Sequence, residues 1–160
     1  MADIIPATPK PIKVPFDGVT GKLDTEDIRH FIMDRTVEDN PIELDLEFSD
    51  EEIGWAFRHA AMAYNGIPPY VGLINGPNDV TDPRLAYPFM IAVIYQLFAA
   101  KAAKLARMDI DYSAGDMQVD FTKRRVDYLT KWAQAFKDES TAGLKNYKLV
   151  INLESGYAAY

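Results

Sequence analysis

Apolar and polar positions settle into a clear helical period in the run Leu46-Glu-Phe-Ser-Asp-Glu-Glu-Ile-Gly-Trp-Ala-Phe-Arg-His-Ala-Ala-Met-Ala-Tyr-Asn-Gly-Ile-Pro-Pro69. Ser49 and Glu52 have the spacing of a capping box, in which each side chain takes up the other's backbone N–H, and Phe48 and Ile53 flank it as a hydrophobic staple. At the far end Asn65-Gly66 suits a left-handed helix stop, and Pro68-Pro69 prevents the helix from resuming. The pattern predicts a helix over 49–64. At about 100° per residue, Ile53, Phe57, Ala60, Ala61 and Tyr64 share one side while Trp55, His59 and Met62 share the opposite one. Two readings fit the second apolar face. It packs under a loop of the same chain, or it meets another subunit, since aromatic residues and Met are enriched at interface cores.

The period changes along the rest of the chain. Residues 1–22 carry Pro6, Pro9, Pro11 and Pro15 and are expected to form an extended arm, with Ile4, Ile5, Ile12, Val14 and Phe16 as apolar anchors that a purely solvated tail does not need. Asp24 or Thr25 caps a short helix to about Arg35, with Ile28, Phe31 and Ile32 in one stripe. Residues 42–48 alternate apolar and acidic positions, the period of a half-buried extended segment. Residues 72–83 are turn chemistry. Thr81 or Asp82 then caps a helix that begins with Pro83 and reaches a kink or fresh start at Pro88. From Phe89 to Ala100 apolar residues point in every direction, so this helix is expected at the centre.

A second amphipathic helix is expected from about Gly115 to Lys137, with Thr122, Val126, Leu129, Ala133 and Phe136 in its stripe and Tyr128 and Trp132 off it. Beyond Thr141-Ala-Gly143, the run Tyr147 to Leu153 is β-prone and predicts a short strand that needs a partner. The expected organisation is mainly α: an extended Pro-rich arm over 1–22, a helical core over 23–146 arranged as a bundle around the apolar helix, and a C-terminal β segment and tail over 147–160.

At 160 residues and 48% hydrophobic content, the chain suits one core rather than two domains. It has no cysteine, which removes disulfides, thiolate zinc sites and cysteine nucleophiles and fits a reducing compartment. No secretory signal is evident at the start, and the apolar run Leu85 to Ala100 falls short of the roughly 20 residues that cross a bilayer, so a soluble protein without membrane contact is expected. A formal charge of −7 opposes a surface built to grip nucleic acid, and Lys123-Arg124-Arg125 is balanced by Asp116, Asp120 and Asp127. Asp109, Asp111 and Asp116 match a calcium loop poorly, and no metal or cofactor is expected. No nucleotide-binding, hydrolase or zinc-protease motif occurs, and His30 and His59 stand on separate helices without an acid or serine partner, so no catalytic residue is assigned and an enzyme is not expected.

Taken together, Phe48-Ser-Asp-Glu-Glu-Ile53 leading to Ala63-Tyr-Asn-Gly-Ile-Pro-Pro69, the apolar helix, Asp111-Tyr-Ser-Ala-Gly-Asp116 before a charged helix, and a C-terminal strand with Gly156-Tyr157 resemble tailed-bacteriophage head–tail connector proteins, the neck adaptors that dock beneath the portal. The likeness is one of organisation over residues 25–157, and the Pro-rich arm and the 70–82 loop depart from it. It implies a virion protein assembled in the host cytoplasm as a homo-oligomeric ring, commonly a dodecamer. Its partners would be the portal and neighbouring neck or tail proteins, with DNA passing through the lumen. A tail or baseplate component, or a non-viral helical interaction module, is the alternative. The candidate subunit-interface residues are Trp55, His59, Met62, Tyr128, Trp132, Ile12, Val14, Phe16, Leu149, Ile151 and Tyr157.

Overall fold

Phe89, Ile91, Val93, Ile94 and Leu97 point in different directions around one helix, and each is almost wholly buried. That is possible only if neighbours cover the helix from several sides. The computed structural model describes residues 23–35, 46–108, 113–114, 117–118 and 121–156. Among these the chain is mainly helical: α1 (Thr25–Phe31), α2 (Asp50–Asn65), α3 (Pro83–Met108) and α4 (Phe121–Glu154). A single 3-10 turn, Pro77–Asp79, interrupts the loop before α3, and Ser113–Ala114 pairs antiparallel with Met117–Gln118 in a two-residue ladder, β1 and β2. Helix α3 packs along α4 and also against α2 and α1.

The local signals explain most helix starts. Ser49 Oγ accepts from the Glu52 amide at 3.2 Å and Glu52 accepts from the Ser49 amide at 2.9 Å, the reciprocal box expected from sequence. Asp24 and Asp27 make the same exchange at α1, both at 3.0 Å. Helix α1 ends earlier than expected, because Met33 turns into the left-handed region at φ 58° and Asp34 comes back beneath the helix. There Asp34 lies 3.1 Å from the buried Arg29 guanidinium and accepts from the amides of Glu47 and Phe48 at 2.7 and 3.0 Å. A buried carboxylate with this many donors fixes the start of α2 against the end of α1. The remainder of the alternating segment, 42–45, lies outside the described residues.

Other expectations are corrected. Gly66 does not turn left-handed but sits at φ −76°; Asn65 arrests the chain instead, clamping the Ile74 carbonyl and amide at 2.7 and 2.9 Å. Pro88 does not give a fresh start: α3 runs for 26 residues with the proline inside it. Its span Pro83–Arg107 is therefore long and apolar enough to cross a bilayer by length and composition, unlike the shorter run read from sequence. Helix α4 begins at Phe121 rather than Gly115. It also does not stop near Lys137: it continues through Thr141-Ala-Gly143 and through 147–153, so the expected C-terminal strand is helix.

The physical reason is tertiary. Gly143 is a site of close approach, since a Cβ placed there would lie 2.7 Å from Pro88 Cβ. The glycine lets α4 pass over the proline ring instead of ending at it. Buried Leu129, Ala133, Ser140, Leu144, Lys148 and Asn152 then form one stripe along α4 at spacings of four and seven. Packing of that stripe on the rest of the chain outweighs the weak β propensity of Leu149-Val150-Ile151.

Candidate association surfaces

The stripe that holds α4 in place is unusual in what it buries. Ser140, Lys148 and Asn152 face inward, whereas Leu149, Val150 and Leu153 face outward, with Leu153 68% exposed. The last turns of α4 thus bury Lys148 and Asn152 beside Leu144 and leave three large apolar side chains exposed among Lys145, Asn146 and Glu154.

The inward side meets the end of α2 and the loop before α3. Lys148 is wholly buried, and its Nζ stands 4.2 Å from the Tyr64 ring centroid with no hydrogen-bond partner. Cation–π attraction is the available compensation for a charged amine there. Burial pushes the lysine below its ordinary 10.5. The Tyr64 hydroxyl is also buried and unpartnered, and burial raises it from 10.0. Around this buried pair, Tyr147 donates to Asp82 at 3.2 Å, and Arg84 bridges Asp82 at 2.9 Å and Glu154 at 2.8 Å. Burial, with Asp82 beside it, lifts the Tyr147 hydroxyl to about 12, while hydrogen bonds from Arg84 hold the Asp82 and Glu154 carboxyls down. This clasp ties the start of α3 to the end of α4.

On α2 the outward face read from sequence is open. Trp55 is 51% and Met62 65% exposed, and His59 is exposed beside Trp55, with ring centroids 6.4 Å apart. No described segment of the chain covers them. The 66–82 loop packs elsewhere: a Cβ at Gly72 would meet Ile151 Cδ1 and the Tyr64 hydroxyl. The Trp55–His59 edge of α2 borders a groove of about 420 Å³ between α2 and α3, whose lining includes Phe48, Ala56, Leu97, Lys101 and Lys104.

The expected residues therefore fall into three places. Trp55, His59 and Met62 lie on α2, and Tyr128 and Trp132 lie on the first half of α4, 5.9 Å apart as an edge-to-face pair and both exposed. Leu149 is exposed on the last turns of α4, but Ile151, expected to alternate with it toward a neighbour, is turned toward Gly72 of its own chain. Ile12, Val14, Phe16 and Tyr157 lie outside the described residues, as do Asp109, Asp111 and Asp116. Val150 and Leu153 were missed because a strand reading pairs residues by twos; the four-residue spacing of Ser140, Leu144, Lys148 and Asn152 was the available signal. Among the described residues no cluster of three or more His, Asp or Glu is arranged to hold a metal.

Comparison with protein-family models, curated proteins and solved structures finds no match to this chain.

Proposed function

We propose that this protein is a structural assembly subunit that works by protein–protein contact, and that it forms a ring in the neck of a tailed bacteriophage, joining the portal to the tail. The observation that carries the assembly reading is the exposed apolar patch at the end of α4. Leu149, Val150 and Leu153 are exposed on the helix while a lysine is buried beneath them without a hydrogen bond. Apolar residues presented outward at the expense of a buried amine suit a surface that is completed by another chain. Trp55 and Met62 on α2 supply a second, different surface, and two unlike patches favour head-to-tail contacts, which close into rings. The scaffold for this reading is a bundle around α3. The resemblance of the sequence to neck adaptors, resting on its helical elements now that the C-terminal strand is helix, supplies the phage assignment, the dodecamer and the portal and tail partners, with DNA in contact only by passage through the lumen.

Light scattering and electron microscopy of the purified full chain test it. Closed rings are expected, and particles isolated from infected cells should carry the chain in twelve copies beside the portal. A chain that stays monomeric at high concentration and is missing from virions overturns the proposal. Six or three copies lower in the tail would retain assembly but move the protein to the tail or baseplate.

A further inference from the structure

A continuous aromatic strip runs from the start of α1 onto α4. It begins in an apolar pocket of about 310 Å³ lined by Leu23, Phe31, Ala86, Tyr87 and Met90 together with Asp27 and His30. From there Phe31 stands 6.4 Å from Phe136, Phe136 stands 5.4 Å from Trp132, and Trp132 stands 5.9 Å from Tyr128, ring centroid to centroid. Phe31, Tyr87, Tyr128 and Trp132 are all exposed, Trp132 by 42%. A strip of this length left open is an unsatisfied surface.

Its pocket end is where residues 1–22 join the described chain, because Leu23 itself lines the pocket. The joining segment has matching features. Ile12, Val14 and Phe16 alternate with Pro11, Lys13 and Pro15, the sequence pattern that in any extended segment puts apolar side chains on one edge. Prolines make such a segment lose less freedom on docking than an ordinary chain would. Phe16 is seven residues from Leu23, a reach of up to roughly 23–25 Å when extended, against ring-to-ring steps of 6.4 and 5.4 Å from Phe31 to Trp132. Charge also complements: residues 1–22 carry Lys10, Lys13 and Lys22 against Asp3 and Asp17 in a chain of net charge −7. The strip is flanked by Asp27 and by Glu139, which accepts from the Tyr87 hydroxyl at 2.9 Å.

We infer that residues 12–16 of each chain lie across its own Phe31–Phe136–Trp132 strip, with Ile12, Val14 and Phe16 against the rings. The arm then closes this face, and association through Trp55 and Met62 and through Leu149, Val150 and Leu153 proceeds from surfaces it leaves open.

The two tryptophans allow a direct reading. In the full chain carrying Trp55→Phe, Trp132 is the sole tryptophan, and its emission and acrylamide quenching report on the strip. Adding Val14→Asp and Phe16→Asp is expected to shift the emission to the red and raise quenching severalfold while the helical circular dichroism stays unchanged. Equal quenching with and without the arm substitutions overturns the inference. The second measurement refolds a small fraction of the single-tryptophan chain with an excess of chain carrying Trp55→Phe, Trp132→Phe, Val14→Asp and Phe16→Asp. Trp132 should remain shielded, because its own arm covers it. Loss of shielding in the mixture would mean that the arm comes from a second copy, which also overturns it. Because Trp132 is also a candidate subunit contact, both measurements are repeated with Leu149→Glu and Leu153→Glu added, where shielding by the arm is expected to persist without assembly, so failure here is separable from failure of the assembly proposal.

Discussion

Lys148 shows how a single side chain can set the pH response of the whole fold. Burial lowers it from 10.5, so between that lowered value and 10.5 the unfolded chain binds a proton that the folded chain does not. Stability therefore rises with pH across this window, and the cost of charging the amine is fully present below it. Tyr64 and Tyr147 act in the opposite sense above 10.0, where unfolded tyrosines ionise first and stability falls. Urea unfolding across this range should show a rising limb followed by a falling one. Lys148→Met is expected to flatten the rising limb, leave the falling one, and raise stability at neutral pH; an unchanged slope would mean that the buried amine is not its source. Asp34 works differently. It joins Arg29 to the amides of Glu47 and Phe48, so Asp34→Ala strands those amides while Arg29 keeps Asp50 at 2.7 Å, and is expected to cost about 1–3 kcal/mol by urea unfolding.

Helix α2 is held by signals contained within its own sequence, and its response to mutation should be correspondingly local. Ser49→Ala removes the acceptor for the Glu52 amide and is expected to cost about 1 kcal/mol, with the rest of the helical signal preserved. Helix α4 depends on its partners instead. Alanine is a better helix former than glycine by about 1 kcal/mol, yet a Cβ at position 143 would press on Pro88. Gly143→Ala is therefore expected to lower the thermal midpoint, opposite in sign to its propensity, and a rise would show that α4 can shift off α3 freely. The same contrast explains which elements could be read. The Ser49–Glu52 box is a four-residue motif, whereas the course of α4 across 141–153 depends on Pro88, Tyr64 and Gly72, which come from far earlier in the chain.

For the molecule as a whole, the unlike apolar patches on α2 and at the end of α4 predict association that can be blocked from either side. Trp55→Glu with Met62→Glu, and separately Leu149→Glu with Leu153→Glu, should leave the circular dichroism intact and abolish assembly by light scattering. Mixing the two variants should give limited pairs rather than rings, because each retains one good patch, as a head-to-tail contact requires. Assembly unaffected by both pairs would place the contact elsewhere. The acidic net charge suits a ring whose lumen lets DNA pass without holding it.

Local chemistry was enough to specify the capped start of α2, the inward set Ile53, Phe57, Ala60, Ala61 and Tyr64, the mainly helical class and the central position of α3. Each follows from hydrogen-bonding groups a few residues apart or from a periodicity that holds within one segment. Tertiary packing decided that Pro88 and Gly143 form a contact rather than two interruptions, that 147–153 is helix rather than strand, and that Trp55 and Met62 are left open by the described chain. These outcomes arise from contacts between distant segments, where burial of a face outweighs the small preferences of the residues that compose it.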